Sequence, residues 1–429
     1  MKKHLRLKIE SMKKQVIKLV FVGHVDHGKS TLIGRTLFET NSLPKDTYEE
    51  VKRVSEELGK DAELAYLTDY LQEERERNIT IDTTQIHFKT RKKNYVIIDA
   101  PGHVQFIKNM LSGASQAEAA VLLVDAQEGI KEQTRRHAYL IHLLGIEKLI
   151  VVVNKMDLLD YDPTRFHEIE TDIIDFMNQL SLKPIHVIPT SARSGENITK
   201  TSPKMSWYGG PVFADSLDHI KLNSQNERTP FRFPVQDVLF KDGRNIVLGR
   251  VEAGDVERCQ QLLVLPEGYK TRVIEVVRFG EKRKSAQVGE SIGIVLENHN
   301  DIKRGMVLTH HDQIPIVADE VDVTIFWMGA VPLHKGDEFT LQCSTQEVSC
   351  RLKVIEQRID SSTLQLLEEN GETVGPNEVG KVIFKLAKPI VFEPFSQVPE
   401  LGRLVLRRGD SVYGAGIVNS VQQTASEKR

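Results

Sequence analysis

The sequence is poor in cysteine, with only Cys259, Cys343 and Cys350 among its 429 residues. An odd and sparse set of cysteines gives no disulfide framework and favours reduced thiols in a cytoplasmic protein. Cys343 and Cys350 could flank a hairpin turn, but two free thiols are the simpler interpretation. No C-x-x-C spacing and no cluster of Cys and His along the chain indicates a structural zinc site.

Long apolar runs and an excess of one charge are also missing. No stretch reaches 18 apolar residues, so the sequence predicts no membrane partner. The basic segment MKKHLRLKIESMKK at the N-terminus lacks the continuous apolar region of a signal peptide, and we expect no such signal. The net charge of -3 gives no reason to expect chain-wide electrostatic binding to nucleic acid, although a local site stays open.

The first half of the chain alternates short apolar runs with helical patterns. Several runs are nearly all apolar, as is typical of strands covered on both faces. This alternation predicts a doubly wound, mostly parallel α/β sheet. The predicted strands are VIKLVFV, QIHFKT, NYVIIDA, AAVLLVDA, KLIVVVNK and PIHVIPT.

The second half of the chain has a different sequence pattern, with strand-length runs and no long helical segment. The polar stretch LNSQNERTP, residues 222–230, reads as a linker, and strand-length runs separated by turn signals follow it. No long helical pattern returns, which is typical of small β-barrels. A second break near residues 313–320 suggests two such domains. We therefore predict an α/β domain over residues 1–224 and two all-β barrel domains over 225–316 and 317–429.

The stretch GHVDHGKST fits the P-loop pattern Gly-x4-Gly-Lys-Ser and stands between a predicted strand and a predicted helix. In such a loop, successive backbone N–H groups point at phosphate oxygens, and the following helix adds its positive end. Lys29 would reach the outer phosphates and Ser30 would ligate Mg²⁺. The residues predicted to bind the nucleotide here are Gly23, His24, Val25, Asp26, His27, Gly28, Lys29, Ser30 and Thr31.

Two later segments indicate which base is bound, because a P-loop alone does not distinguish ATP from GTP. In NKMD, the Asp157 carboxylate can accept hydrogen bonds from the N1–H and the 2-amino group of guanine, a donor pair that adenine lacks. In TSA, a backbone N–H can meet guanine O6. By itself NKMD could be an ordinary polar loop, but its place after a P-loop predicts GTP or GDP as ligand. The predicted base-binding residues are Asn154, Lys155, Asp157, Ser191, Ala192 and Arg193.

The segment DAPGH, residues 99–103, follows another predicted strand. Asp99 is predicted to hold Mg²⁺ through water, and the Gly102 N–H to contact the γ-phosphate. His103 would orient the hydrolytic water, although an ordinary surface histidine at a helix start is the alternative.

The segment ERNITID, residues 76–82, supplies Thr80, whose hydroxyl can complete the Mg²⁺ shell. The charged stretch before it, about residues 41–77, is long enough to change between an ordered and a disordered state, as a switch segment does. The sequence thus predicts Ser30, Thr80 and Asp99 as metal-binding residues and Lys29, Thr80 and His103 as catalytic ones.

Together these motifs resemble the translation-factor class of GTPases, the elongation factor Tu group, over almost the whole chain. The resemblance implies an α/β P-loop GTPase domain followed by two β-barrels, and hydrolysis of GTP to GDP with Mg²⁺. It also implies that Val25 and Ile79 flank His103 as apolar gates for its approach to water.

Within that class, several segments resemble the GTPase subunit of sulfate adenylyltransferase. They include QTRRHAYLIHLLGI with Arg136, SWYGGP at residues 206–211, and runs of the third domain such as PNEVGKVIFKLAKPIVFEPF. This resemblance implies a switch that couples GTP hydrolysis to adenylyl sulfate synthesis by a partner, the adenylyltransferase catalytic subunit.

Two alternatives stay open. The P-loop HVDHGKS is closer to the elongation factors, since the sulfate subfamily usually has Asp where His27 stands. An elongation-factor-like GTPase that carries aminoacyl-tRNA to the ribosome is therefore the first alternative. The second is a GTP-gated docking module that hydrolyses little GTP.

Overall fold

The structure is a computed structural model that describes residues 16–24, 26–43, 49, 53, 85–98, 117–221, 229–241, 243–278, 281–297 and 301–420. The chain divides into two compact units, Met1–Leu222 and Asn223–Arg429. The division of the second half into domains over 225–316 and 317–429 stays a prediction. None of the helices in the described ranges is both long and apolar enough to cross a lipid bilayer.

The first unit contains a six-stranded sheet with the strand order β2-β3-β1-β4-β5-β6. Every pairing in it is parallel except that of β2 with β3. The predicted doubly wound, mostly parallel sheet is therefore confirmed. Its strands are β1 (Val16–Val22), β2 (Gln85–Lys89), β3 (Asn94–Ile98), β4 (Ala119–Asp125), β5 (Leu149–Asn154) and β6 (His186–Pro189).

Four α-helices are described in the first unit. The longest begins after Asp162, whose carboxylate accepts the Thr164 N–H at 2.9 Å, with Pro163 at the first helical position. This is a favourable helix start because the side chain satisfies an N–H that the helix leaves unpaired. The helices are α1 (Lys29–Glu39), α2 (Glu132–Leu143), α3 (Pro163–Gln179) and α4 (Phe213–Asp218), and short 3₁₀ turns occupy Met156–Leu159 and Pro203–Met205.

The centre of the sheet forms the core of the first unit. All residues of β4 and β5 are buried, as expected for parallel strands with both faces covered. Because parallel strands share one direction, the loops that follow β1, β4, β5 and β6 leave the same edge of the sheet. Ligands bind at this edge in open α/β sheets, and the loop after β1 is the one that contains the P-loop motif.

The second unit contains two antiparallel sheets. The first has the order β10-β15-β7-β8-β14-β11-β12 and is closed by pairing of β10 with β11. The second has the order β18-β23-β24-β16-β22-β19-β20 and is closed by pairing of β18 with β19. Closure pairs the main strands on both sides, and of the strands described in these two sheets only the short β12 and β20 lie outside the closed rings as edge strands. Two all-β barrels after the α/β unit are thus confirmed.

The barrel strands vary in length, from three residues in β12 to 15 residues in β19 and β22. Those of the first sheet are β7 (Arg232–Lys241), β8 (Arg244–Arg250), β10 (Gln261–Leu265), β11 (Tyr269–Arg278), β12 (Glu281–Arg283), β14 (Ser291–Leu296) and β15 (Val307–His310). Those of the second are β16 (Ile316–Trp327), β18 (Glu338–Cys343), β19 (Gln346–Asp360), β20 (Leu366–Glu369), β22 (Glu378–Phe392), β23 (Arg403–Arg408) and β24 (Ser411–Ser420). Two small pairs and one helical turn complete the unit: β9 (Asp255–Glu257) with β13 (Ser285–Gln287), β17 (Leu333–His334) with β21 (Thr373–Val374), and α5 (Pro399–Gly402).

The cysteines of the second unit are free thiols. In the β18–β19 hairpin, Cys343 pairs with Gln346 and Cys350 with Phe339, so the two thiols are separated along the strands rather than facing each other. Both side chains are buried, and burial raises the pKa of each thiol to about 12. Neither thiol is suited to nucleophilic chemistry.

Candidate nucleotide-binding site

The P-loop adopts backbone conformations that its glycines allow. Gly23 has φ 154° and Gly28 has φ 87°, in the region that residues with a Cβ rarely adopt. A Cβ on Gly23 would lie 2.8 Å from the Leu123 carbonyl oxygen, and one on Gly28 would lie 2.5 Å from the Asn154 amide nitrogen. The glycines therefore keep open a tightly curled loop, which fits the cradle that a phosphate group needs.

The loop runs directly into α1. Gly28 precedes the helix without a side-chain cap, and no acidic residue stands in the first turn. The N-terminus of a helix with no acidic side chain in its first turn favours a bound anion. The Lys29 amine donates to the carbonyl oxygens of Gly23 and, at 3.0 Å, of His24, so it lies over the loop. Ser30 and Thr31 follow, half-buried in the first turn.

His27 is turned into the protein. Its ring is 1% exposed, with Nδ1 at 3.2 Å from the Leu123 carbonyl oxygen and Nε2 at 3.3 Å from a Glu128 carboxylate oxygen. The contact between His27 and the nucleotide stays a prediction, and the buried imidazole leaves the backbone of this residue to make it. The imidazole instead holds the P-loop against β4.

Asn154 joins the P-loop to the base-binding loops. Its buried amide donates to the His27 carbonyl oxygen at 3.0 Å. Its side-chain oxygen accepts the Ala192 N–H at 2.9 Å and the Thr190 hydroxyl at 3.3 Å. These bonds hold together segments that follow three different strands, so Asn154 fixes the positions of the loops that are predicted to surround the nucleotide.

Lys155 forms an ion pair that the sequence analysis did not predict. Its backbone has φ 67°, and its amine lies 2.7 Å from the Asp125 carboxylate. Asp125 is buried and also accepts the Gln127 N–H at 2.8 Å. The sequence does contain one feature that could have indicated this ion pair. Asp125 ends the predicted strand AAVLLVDA, and parallel strands place it at the same sheet edge as NKMD.

Asp157 differs from Asn154 and Lys155, the other two polar residues of the NKMD motif. It lies half-buried in the 3₁₀ turn after β5. Within the described ranges, no N–H, hydroxyl or cationic group contacts its carboxylate. A carboxylate accepts and does not donate, so this side chain offers its oxygens to donors on a ligand.

The loop after β6 is fastened to α1 by charged side chains. Arg35 is buried and donates to the carbonyl oxygens of Ala192 at 3.1 Å and Arg193 at 2.7 Å. Glu39 accepts the Thr199 hydroxyl, and its burial raises the pKa of its carboxyl group. The predicted base-binding residues 191–193 are thus held by the helix that follows the P-loop. Sequence reasoning missed Arg35 and Glu39, which look like ordinary helix-surface charges.

Several predicted site residues lie outside the described residues. They are Val25, Ile79, Thr80, Asp99, Gly102 and His103. Their roles in holding Mg²⁺, contacting the γ-phosphate and orienting water stay predictions. Of the three predicted metal-binding residues, only Ser30 belongs to the described part, where it lies in the first turn of α1.

The segments that suggested the sulfate subfamily have packing roles in the first unit. Arg136 forms an ion pair with Glu132 one turn away on α2. The Trp207 indole donates to the Tyr161 carbonyl oxygen at 3.1 Å, and its ring centroid lies 5.3 Å from that of Phe166. Contacts of this kind stabilise the fold and do not specify a partner.

Comparison with known proteins places this site in a family. The model described as "Elongation factor Tu GTP binding domain" matches residues 14–249, more than half of the chain. The chain belongs to this family. A second model, described as "GTP-eEF1A C-terminal domain-like", matches residues 320–419. The protein is therefore a GTPase of the translation-factor class, which binds GTP or GDP together with Mg²⁺.

Relatives match nearly from end to end. Elongation factor 1-alpha of Methanosarcina acetivorans is 36% identical over 412 residues, covering 94% of this chain and 98% of the relative. Elongation factor 1-alpha of Pyrococcus furiosus is 37% identical over 420 residues, covering 95% and 98%. The solved structure of Sup35 complexed with GDP resembles the chain with a TM-score of 0.45 and 24% identity, and 95% of each chain is covered.

These findings correct one prediction. The expectation of a regulatory subunit of sulfate adenylyltransferase was wrong, and with it the adenylyltransferase catalytic subunit as partner, because the near-full-length relatives are elongation factors 1-alpha. The physical reason lies in the segments used. Arg136 forms an ion pair within its own helix and Trp207 packs within the first unit, and such contacts carry no information about a partner.

Proposed function

We propose that the protein is an elongation-factor GTPase that carries aminoacyl-tRNA to the ribosome and leaves it after hydrolysing GTP. The observation that carries this proposal is its similarity to elongation factors 1-alpha over 98% of their length. The net charge of -3 does not oppose it, because a local basic surface suffices to hold one end of an RNA.

In the proposed mechanism, the described residues bind and orient the nucleotide. Asp157 accepts hydrogen bonds from the guanine edge, while Asn154 and Arg35 hold the surrounding loops in place. The P-loop amides and the Lys29 amine receive the outer phosphates and offset the charge that develops there during hydrolysis. A bound base that covered this half-buried carboxylate without donating to it would remove its water at a cost in free energy, which is why adenine is rejected.

The remaining steps fall to residues predicted from the sequence. Ser30, Thr80 and, through water, Asp99 would hold Mg²⁺, whose charge neutralises the outer phosphates when it is bound. His103 would orient the attacking water. Loss of the γ-phosphate would release Thr80 and Gly102, and this release would end binding of the tRNA.

The ester bond of an aminoacyl-tRNA hydrolyses slowly in water, which supplies a direct test. With the protein and GTP present, we expect this hydrolysis to slow severalfold, because the ester is sheltered in a complex. With GDP it should proceed at the rate of free aminoacyl-tRNA. Equal rates with GTP and GDP would contradict the carrier function while leaving GTP hydrolysis itself intact.

The role of His103 needs a separate measurement. His103→Ala should slow single-turnover phosphate release at least about 100-fold, within the range typical for loss of one catalytic group, while GDP affinity stays unchanged. An unchanged rate would remove His103 from the mechanism.

A further inference from the structure

Two histidines that are distant in the sequence meet at the edge of the parallel sheet. His186 is the first residue of the edge strand β6, and His219 follows α4. Nε2 of His186 lies 3.3 Å from Nδ1 of His219, and the ring centroids are 5.2 Å apart with an interplanar angle of 65°. Neither residue takes part in the nucleotide site described above.

The backbone fixes which nitrogen of His186 can bind a ligand. Its Nδ1 lies 2.6 Å from the Ile185 carbonyl oxygen. A carbonyl oxygen only accepts, so Nδ1 carries the hydrogen and the lone pair of Nε2 faces His219. Metal-binding histidines commonly have one N–H donated to a backbone carbonyl in this way, which fixes the tautomer and the ring orientation.

The spacing of the two nitrogens suits a transition metal ion. A zinc ion bound tetrahedrally at about 2.0–2.1 Å from each nitrogen places two ligand nitrogens about 3.3–3.4 Å apart. The observed separation is 3.3 Å. Because His219 is exposed, its ring can turn and direct its own lone pair to the same point without any movement of the strand.

A histidine binds a metal ion through the lone pair of one ring nitrogen, in its neutral form. Imidazole nitrogen favours Zn²⁺, Ni²⁺ and Cu²⁺ over Mg²⁺, so this pair and the nucleotide site select different ions.

We propose that His186 and His219 bind a divalent transition metal ion of the zinc class, with water as the remaining ligands. Within the described ranges, no third His, Cys, Asp or Glu joins them. The ion would link β6 to the end of α4 across 33 positions of sequence. Since such an ion binds only the folded arrangement, it would stabilise the first unit.

The test uses the full chain loaded with GDP and Mg²⁺, in a Cys259→Ser background because that exposed thiol is a competing ligand. Calorimetric titration with Zn²⁺ should show one site per chain that His219→Ala weakens at least about tenfold. His186→Ala should do the same. The matched control is His167→Ala, which removes an exposed histidine of α3 and should leave the affinity unchanged.

A spectroscopic readout separates metal binding from a merely structural role. With one equivalent of Cu²⁺, electron paramagnetic resonance should show two coupled nitrogens in the parent and one in His219→Ala. Because His219 is exposed, that variant is expected to fold even if His186→Ala does not. If the parent and His219→Ala bind Zn²⁺ equally and give the same nitrogen coupling, the pair is only a hydrogen bond and the proposal fails.

Discussion

The P-loop and the loop after β5, which contains NKMD and is predicted to bind the base, hold their shapes by different means. The P-loop relies on backbone conformation, since Gly23 and Gly28 have positive φ and leave no space for a Cβ. The loop after β5 relies on side chains, since the polar groups of Asn154 and Lys155 form hydrogen bonds and an ion pair within the protein. Substitutions should therefore damage the first loop through steric clash and the second through buried polar groups left unpaired.

Within the loop after β5, the polar residues of NKMD also differ from one another in their bonding. Asn154 and Lys155 are bonded internally, whereas Asp157 has no donor from any residue that the structure describes. Two of the three polar residues of this short motif are thus bonded within the protein, and the third is the one predicted to bind the base. Variants can separate these roles by measuring stability and nucleotide affinity independently.

The largest effect is expected from Gly28→Ala. The new Cβ would meet the Asn154 amide and would require a left-handed backbone, which together should cost about 4 kcal/mol of unfolding free energy. GDP affinity should fall at least about 100-fold. Trp207 fluorescence in a Trp327→Phe background reports unfolding of the first unit during a guanidinium titration.

Gly209→Ala is the matched control, because nothing lies within 4 Å of a Cβ at Gly209. Its unfolding midpoint and GDP affinity should match the parent. Equal losses in the Gly28 and Gly209 variants would show that loop shape is not limiting.

Asn154→Ala should cost somewhat less, about 3 kcal/mol. It leaves the His27 carbonyl and the Ala192 N–H without their partner, and each such buried group costs about 1–3 kcal/mol. The same titration measures the loss. Asn178→Ala, which changes an exposed residue of α3, should have no measurable effect, and a similar loss there would refute the bridging role.

Lys155→Ala should destabilise by about 2 kcal/mol. The buried Asp125 carboxylate would lose its cation but keep the Gln127 N–H, so the penalty stays below that of a fully unpaired charge. The exposed Lys183→Ala is the control. A loss no larger than the control's would mean that Asp125 is adequately solvated without Lys155.

The smallest effect concerns pH. Burial raises the pKa of Glu39 above 4.5, so the folded state binds this proton more tightly than the unfolded state. The stability that this proton contributes is present below pH 4.5 and is lost as pH rises through the folded pKa. Glu39→Gln should therefore gain stability relative to the parent as pH rises above 4.5. Parallel stability curves for the two proteins, with exposed Asp172→Asn as control, would contradict this.

Local patterns in the sequence predicted the strands and the helix that position the candidate site. The P-loop spacing and NKMD each follow a strand whose apolar run marks its end, so their shared sheet edge could be foreseen. The bonds between them could not, because the Asn154 amide reaches a carbonyl 127 positions away and the Arg35 side chain reaches residues 157 and 158 positions away. No spacing rule encodes contacts of that range.

Partner choice was the part that sequence reasoning predicted wrongly. Arg136 and the aromatic segment around Trp207 were given weight as signs of a sulfate-activating partner, yet Arg136 forms an ion pair within its helix and Trp207 makes contacts inside the first unit. The same limit applies to His186 and His219. Each is an isolated histidine in the sequence, and only the fold brings the two within 3.3 Å.

The central claim is that Asp157 recognises the base, whereas Asn154 and Lys155 maintain the shape of the loop. Asp157→Asn tests this claim most directly. The amide keeps one oxygen that can accept the N1–H, which guanine and xanthine share. Its NH2 group replaces the oxygen that accepts the guanine 2-amino group, so it should repel that amino group and donate instead to the oxygen that xanthine has in its place. We expect GDP affinity to fall at least about 100-fold and XDP to become the preferred ligand. The unfolding midpoint without nucleotide should stay at the parent's value. Retained preference for GDP, or a loss of stability comparable to that of Asn154→Ala, would contradict the assignment of Asp157 as the residue that reads the base.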